Sequence, residues 1–147
     1  MSLAKALIDS GAGAWLAHFI VDRLPALSQS PLLVVLVLLI AAAPMRLLIP
    51  NITGFLAISI PIAMSIATLT NLNPVVCGLL VMMAGDAVLY YPAQSASSLV
   101  IYERGHLSSA EVFWFGCLMT LVAGLVVVFI ALPYWNLIGE PLVQTVM

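Results

Sequence analysis

Charge is what this sequence has least of. Four Lys/Arg and six Asp/Glu are spread over 147 residues, so only 7% of the chain is charged. Soluble domains carry about 25%. With 64% hydrophobic residues and a mean hydropathy of +1.22, the polar surface cannot cover a soluble globule, and the chain reads as an integral membrane protein. A net charge of −2 without any Lys/Arg cluster excludes nucleic-acid binding. Cysteine is scarce as well. Cys77 and Cys117 lie inside apolar runs without a CxxC or histidine partner, which points to packing thiols. His18 and His106 sit at boundaries with no metal-ligand spacing, and no Ser/His/Asp or paired-carboxylate constellation occurs, so the chain is not read as an enzyme. Strand alternation of the barrel type is missing too. No secretory leader is expected, because Asp9 closely follows Lys5 and Gly11-Ala-Gly13 interrupts any apolar core.

What is there is a series of apolar helices. Residues 3–24 read as a mixed helix whose five ionisable groups, Lys5, Asp9, His18, Asp22 and Arg23, suit a partly buried or interfacial placement. Ser30-Pro31 is a helix start, with Ser30 as N-cap and Pro31 in the first turn. The run from Leu32 to Ile49 contains Pro44, expected to kink it, and Arg46 near its far end. After a break at Pro50–Gly54, Phe55 to Leu69 is apolar but short for a span. Asn73-Pro74 caps a further helix, expected from Val75 to Tyr91 with Asp86 in its interior. A second break, "PAQSASS", covers 92–98 and is followed by the short piece Leu99 to Tyr102. Gly105 suits a helix C′ position, and Ser108-Ser-Ala-Glu111 is a capping box. The last span is expected from Val112 to Leu132, stopped by Pro133, with Trp114, Tyr134 and Trp135 as interfacial anchors.

The two breaks carry the chemistry. Non-helical backbone at membrane depth survives only where protein or a water-filled cavity satisfies it. Secondary transporters use such breaks to hold an anion at half-helix N-termini and a cation on freed carbonyls. Asn51, Thr53, Gln94, Ser95, Ser97 and Ser98 offer neutral oxygens and polar hydrogens, and Gly54, Ala93 and Ala96 allow close backbone approach. The competing interpretation is a pair of proline kinks healed by polar neighbours. Asn51-Ile52-Thr53 also matches the N-glycosylation pattern, but a tip between two apolar runs is better read as a hairpin turn within the membrane.

Arg46 and Asp86 are the two charges well inside apolar runs. Five and six residues from their breaks, they sit roughly 8–9 Å away along a helix. Facing breaks would let them pair; otherwise Arg46 attracts the anion or Asp86 carries a coupling proton.

At the breaks the sequence resembles the divalent anion:sodium symporter family, the sodium-coupled dicarboxylate, citrate and sulfate carriers. The landmarks are Asn51-Ile52-Thr53, Pro61, Asn73-Pro74, Pro92 to Ser98, Gly105-His106 and Glu111, with "SLAKALIDSGAGAWLAHFI" resembling the lead-in to the family's hairpin. Two differences stand out. Ile52 replaces the central Asn of the family's Ser-Asn-Thr tip, leaving Asn51 to supply an amide one position earlier. Gln94-Ser95-Ala96 stands where a Thr-Pro-type loop is usual.

The resemblance implies an all-α membrane fold: a re-entrant helical hairpin, a discontinuous transmembrane helix and a terminal transmembrane helix, together the second inverted repeat of an elevator-type carrier. On this division, 1–27 is the lead-in helix and 30–70 the hairpin with its tip at 50–54. Residues 74–105 form the broken helix with its break at 92–98, 108–133 the last span, and 134–147 a tail. Asn51, Thr53, Gly54, Gln94, Ser95 and Ala96 are the expected anion contacts, and Asn51, Thr53, Gln94 and Ser95 the expected sodium ligands. The implied function is symport of small divalent anions across the plasma (inner) membrane, with Na⁺ as coupling ion, H⁺ as the alternative, and no resident cofactor. The expected partners are the anion, the bilayer, a first repeat and scaffold domain, and a second copy in a homodimer. By length the chain reads as a C-terminal fragment or split-gene product that does not transport alone. The alternative is a small helical subunit with a structural or assembly role.

Overall fold

A computed structural model describes residues 9–23, 30–86, 88–94, 96–103, 105 and 108–143. Lys5, Ser95, Arg104 and His106 lie outside these, as do the side chains of Ala93, Ala96, Ser97 and Ser98. Among the described residues six α-helical segments follow in order: α1 Ala12–Arg23, α2 Pro31–Leu48, α3 Ile52–Leu69, α4 Pro74–Asp86, α5 Ala96–Glu103 and α6 Ser109–Leu137. The described residues are helical or irregular apart from one isolated bridge, Leu72 to Val143. Three helices, α2, α3 and α6, are long and apolar enough to cross a membrane. The all-helical, multi-pass membrane reading therefore holds.

α2 and α3 lie side by side. Val37, Leu38, Ala41, Ala42 and Met45 of α2 line one cavity of about 80 Å³ together with Ser59, Ile62, Ala63 and Ile66 of α3. If the two helices continued in one direction, Leu38 and Ile66 would be about 40 Å apart. The chain therefore turns back at the break between them.

α4 is the hub of the fold and packs against α2, α3 and α6, while α1 packs on α3. In a bilayer, lipid is as apolar as leucine, so helices associate through close packing and polar contacts rather than water exclusion. α4 is built for this, burying Cys77, Gly78, Ala84 and Gly85 beside Val76, Leu80 and Val81. At Gly85 the approach is tightest. An added Cβ would stand 2.0 Å from the Phe55 ring, and Phe55 is fully buried.

Several boundaries differ from the sequence expectation. α3 starts at Ile52, because Asn51 caps it and draws Thr53 and Gly54 into the first turn. The first break thus shrinks to residues 49–51, and α3 gains the length of a span. α4 stops at Asp86 rather than Tyr91, which leaves Asp86 exposed at a helix end instead of in a helix interior. The second break accordingly moves upstream, with a 3₁₀ turn at Pro92–Gln94, and α5 takes in Ser97 and Ser98. Pro133 does not stop α6. The preceding stretch, Val127–Ala131, opens into a π-helix in which the Leu132 amide bonds to the Val127 carbonyl. That wider turn gives the proline ring room and absorbs its missing N–H. Trp135, expected as an interfacial anchor, is buried in the core, whereas Trp114 and Tyr134 are exposed.

Other local signals read as expected. Pro31 opens α2 behind Ser30, although the Ser30 side chain makes no capping bond. The Ser108/Glu111 capping box is complete. Gly105 takes the left-handed conformation with φ +74°.

Candidate binding site at two facing breaks

The first break is short and economical. Ile49 ends α2 with its amide on the Met45 carbonyl, Pro50 follows, and Asn51 begins α3. The Asn51 side-chain oxygen accepts from the Thr53 amide at 3.0 Å, and the Asn51 carbonyl accepts from Phe55. Asn51 and Thr53 are exposed. The Asn51 side-chain nitrogen has no hydrogen-bond partner among the described residues.

Breaking α2 frees the Ile49 and Pro50 carbonyls, and Arg46 collects them. Its Nη1 donates to Ile49 O at 3.0 Å and to Pro50 O. Its Nε donates to Gly85 O at 3.2 Å, at the end of α4. The guanidinium lies 6.0 Å above the Phe55 ring and the residue is 3% exposed. A buried cation is costly unless it is compensated. Here carbonyls at the C-terminal ends of two helices compensate it, where the dipoles favour positive charge. Arg46 forms no ion pair with Asp86, so the pairing considered from sequence is replaced by carbonyl coordination.

The second break is held by Gln94. Its Oε1 accepts from the Tyr90 amide at 2.6 Å and from the Tyr91 amide at 3.4 Å. Its Nε2 donates to the Arg46 carbonyl at 2.8 Å. These bonds explain why α4 ends early. In a continued helix the Gly85 carbonyl would accept from Leu89 and the Tyr90 amide would donate to Asp86. Arg46 and Gln94 take those groups instead.

α6 closes the other side. The Leu89 carbonyl rests against Gly116, where an added Cβ would be 2.4 Å away. The Tyr90 hydroxyl meets Thr120 Oγ1 at 2.7 Å, and Thr120 donates to the Gly116 carbonyl. Tyr91 reaches back to the Leu47 carbonyl at 3.4 Å.

The structure thus joins the two breaks through Arg46 and Gln94. Asn51, Thr53 and Gly54 sit at the start of α3. The Gln94 amide is engaged with backbone on both sides, and Ala96 is the first residue of α5. Gly85, Gly116, Phe55, Tyr90 and Thr120 went unremarked in the sequence. The available signal was glycine inside apolar helices, which marks close approach.

The profile of the sodium:sulfate symporter transmembrane region matches residues 1–140. The chain belongs to that family. It is therefore an integral membrane protein of a transporter family, and the non-enzymatic reading follows from the family. No curated protein and no solved structure matches the chain. Within this symporter family member, the features that distinguish it from a plain helical bundle are the two breaks and their mutual hydrogen bonds.

Proposed function

We propose that the two breaks form half of the anion site of a secondary carrier for small divalent anions, of the dicarboxylate, citrate or sulfate type. Transport is coupled to Na⁺. The observation that carries this reading is that Arg46 and Gln94 tie the breaks together while Asn51 and Thr53 stay exposed at the tip. A hairpin tip with polar side chains at the start of α3 suits an anion, because helix N-termini carry partial positive charge. Asn51, Thr53 and Ser95 provide oxygens that a sodium ion accepts. A first repeat of opposite orientation supplies the other half of the cavity, a scaffold domain supports both, and the complete carrier is a homodimer.

The test is uptake by the complete carrier in proteoliposomes across a sodium series. Thr53→Ala and Ser95→Ala are expected to weaken apparent anion affinity and sodium activation together, since each ligand helps organise the other's site. Asp22→Asn, on the exposed end of α1, is expected to change neither. Unchanged affinity and sodium dependence in folded Thr53→Ala and Ser95→Ala would leave the breaks as kinks and sink the reading.

A further inference from the structure

We propose that Arg46 and Gln94 act as a reciprocal clamp that sets the spacing of the two breaks, and that the Arg46 charge is spent on this task rather than offered to the anion. This rests on the reading that the breaks bind the anion.

The geometry is closed. The Arg46 side chain starts at the first break and ends on Gly85, where the second begins. The Gln94 side chain starts in the second break and ends on the Arg46 main-chain carbonyl. Each residue therefore spans both breaks, in opposite directions, and each also heals its own break: Arg46 at Ile49 and Pro50, Gln94 at Tyr90 and Tyr91. One residue would fix a distance; two crossing residues fix an orientation as well.

The residue types fit. A planar guanidinium presents several donors in a fixed fork, which a lysine ammonium on a flexible stem does not reproduce. A carboxamide both accepts and donates, so Gln94 serves two amides and one carbonyl at once. The Phe55 ring lies 6.0 Å from the guanidinium and packs closely against Gly85, so it backs the fork on the side of α3. Nη2 is the guanidinium nitrogen that takes none of these carbonyls, so the charge reading is a real competitor and the test must separate the two.

Uptake of labelled sulfate and succinate by the complete carrier, with monomethyl succinate as a monoanionic competitor, does so. The clamp predicts that Arg46→Lys, Arg46→Gln and Gln94→Ala each weaken apparent affinity roughly tenfold or more, as small misplacements of binding groups do. It predicts that the ratio of dianion to monoanion affinity stays constant, because no charge at the anion is lost. It also predicts that Arg46→Lys combined with Gln94→Ala costs little more than either alone. Gln94→Ala removes no charge, and it decides the matter where an Arg46 variant does not accumulate. Near-normal affinity in Arg46→Lys, with a selective loss of dianion binding in Arg46→Gln, would overturn the clamp and make Arg46 an anion contact. So would unaltered affinity in Gln94→Ala. If Thr53→Ala and Ser95→Ala leave affinity unmoved, the binding reading itself fails, which is a different outcome.

Discussion

Asn51 and Asn73 do the same local job at opposite ends of α3, and the contrast between them separates architecture from availability. Each begins a helix, and each accepts amide hydrogens on its side-chain oxygen: from Thr53 in one case, from Val75 and Val76 in the other. Asn73 is 5% exposed, and its side-chain nitrogen donates to Glu140 at 2.7 Å. Its main-chain amide donates to the Leu142 carbonyl, beside the Leu72–Val143 bridge. Both nitrogens of Asn73 fasten the chain after α6 onto the turn between α3 and α4, and both of its oxygens start α4. Asn51 is exposed, and its side-chain nitrogen is left over. At the turn, polar chemistry is consumed in closing the structure. At the break, Arg46 and Gln94 do the closing, so the capping residue keeps a free donor at the tip.

The comparison is most exposed to disproof at Asn73. Asn73→Ala removes a cap and strands the buried groups around it, and is expected to destabilise the protein by about 2–3 kcal/mol. Thermal unfolding of the protein measures this, and the surviving folded fraction should bind anion normally. A loss of anion affinity without a loss of stability would put Asn73 on the wrong side of the comparison.

Gly85→Ala is next in size. Its methyl group would meet the Phe55 ring beneath Arg46, an overpacking expected to cost about 1–3 kcal/mol. Because the strain falls on the clamp, apparent anion affinity should fall along with the melting temperature. A drop in stability alone would detach Phe55 from the site.

The smallest effect is expected at Glu140, which accepts from the Asn73 side chain. Glu140→Gln keeps an acceptor oxygen for Asn73, and the change in stability should stay within about 0.5 kcal/mol. Glu140→Ala removes the acceptor and should cost more. Equal effects of the two substitutions in thermal unfolding would show that the bond contributes nothing.

The parts of the fold legible in the sequence were those fixed by neighbours in the chain. Ser108 and Glu111 sit three apart and cap each other, Pro31 and Pro74 open helices behind Ser30 and Asn73, and Gly105 turns left-handed after α5. Where tertiary contacts decide, the reading slipped. Val88 to Tyr91 continues an apolar run without a breaker, and it leaves the helix because Gln94 takes the Tyr90 and Tyr91 amides, Arg46 takes the Gly85 carbonyl, and Gly116 leaves room for the Leu89 carbonyl. Pro133 looked like a stop because a π turn is not written in local composition. Arg46 was noticed as an isolated charge, but its partners are main-chain carbonyls, which leave no trace in residue types. Asn51 and Thr53 could be named from the break itself; the difference between a spent and an unspent asparagine could not, since it depends on Glu140, far away in sequence.

The measurement that bears most directly on the central claim, that the two breaks present an anion site at the Asn51 tip, is the thermal shift that sulfate or succinate produces in the protein, in wild type and in Asn51→Asp. Aspartate keeps the helix cap, so unfolding without anion should move by less than about 0.5 kcal/mol. A ligand at a hundred times its dissociation constant stabilises a protein by about 2.7 kcal/mol. The account predicts that this stabilisation appears in wild type and vanishes in Asn51→Asp, where a carboxylate replaces the free donor and repels the anion. An undiminished anion-induced shift in a folded Asn51→Asp carrier would contradict it.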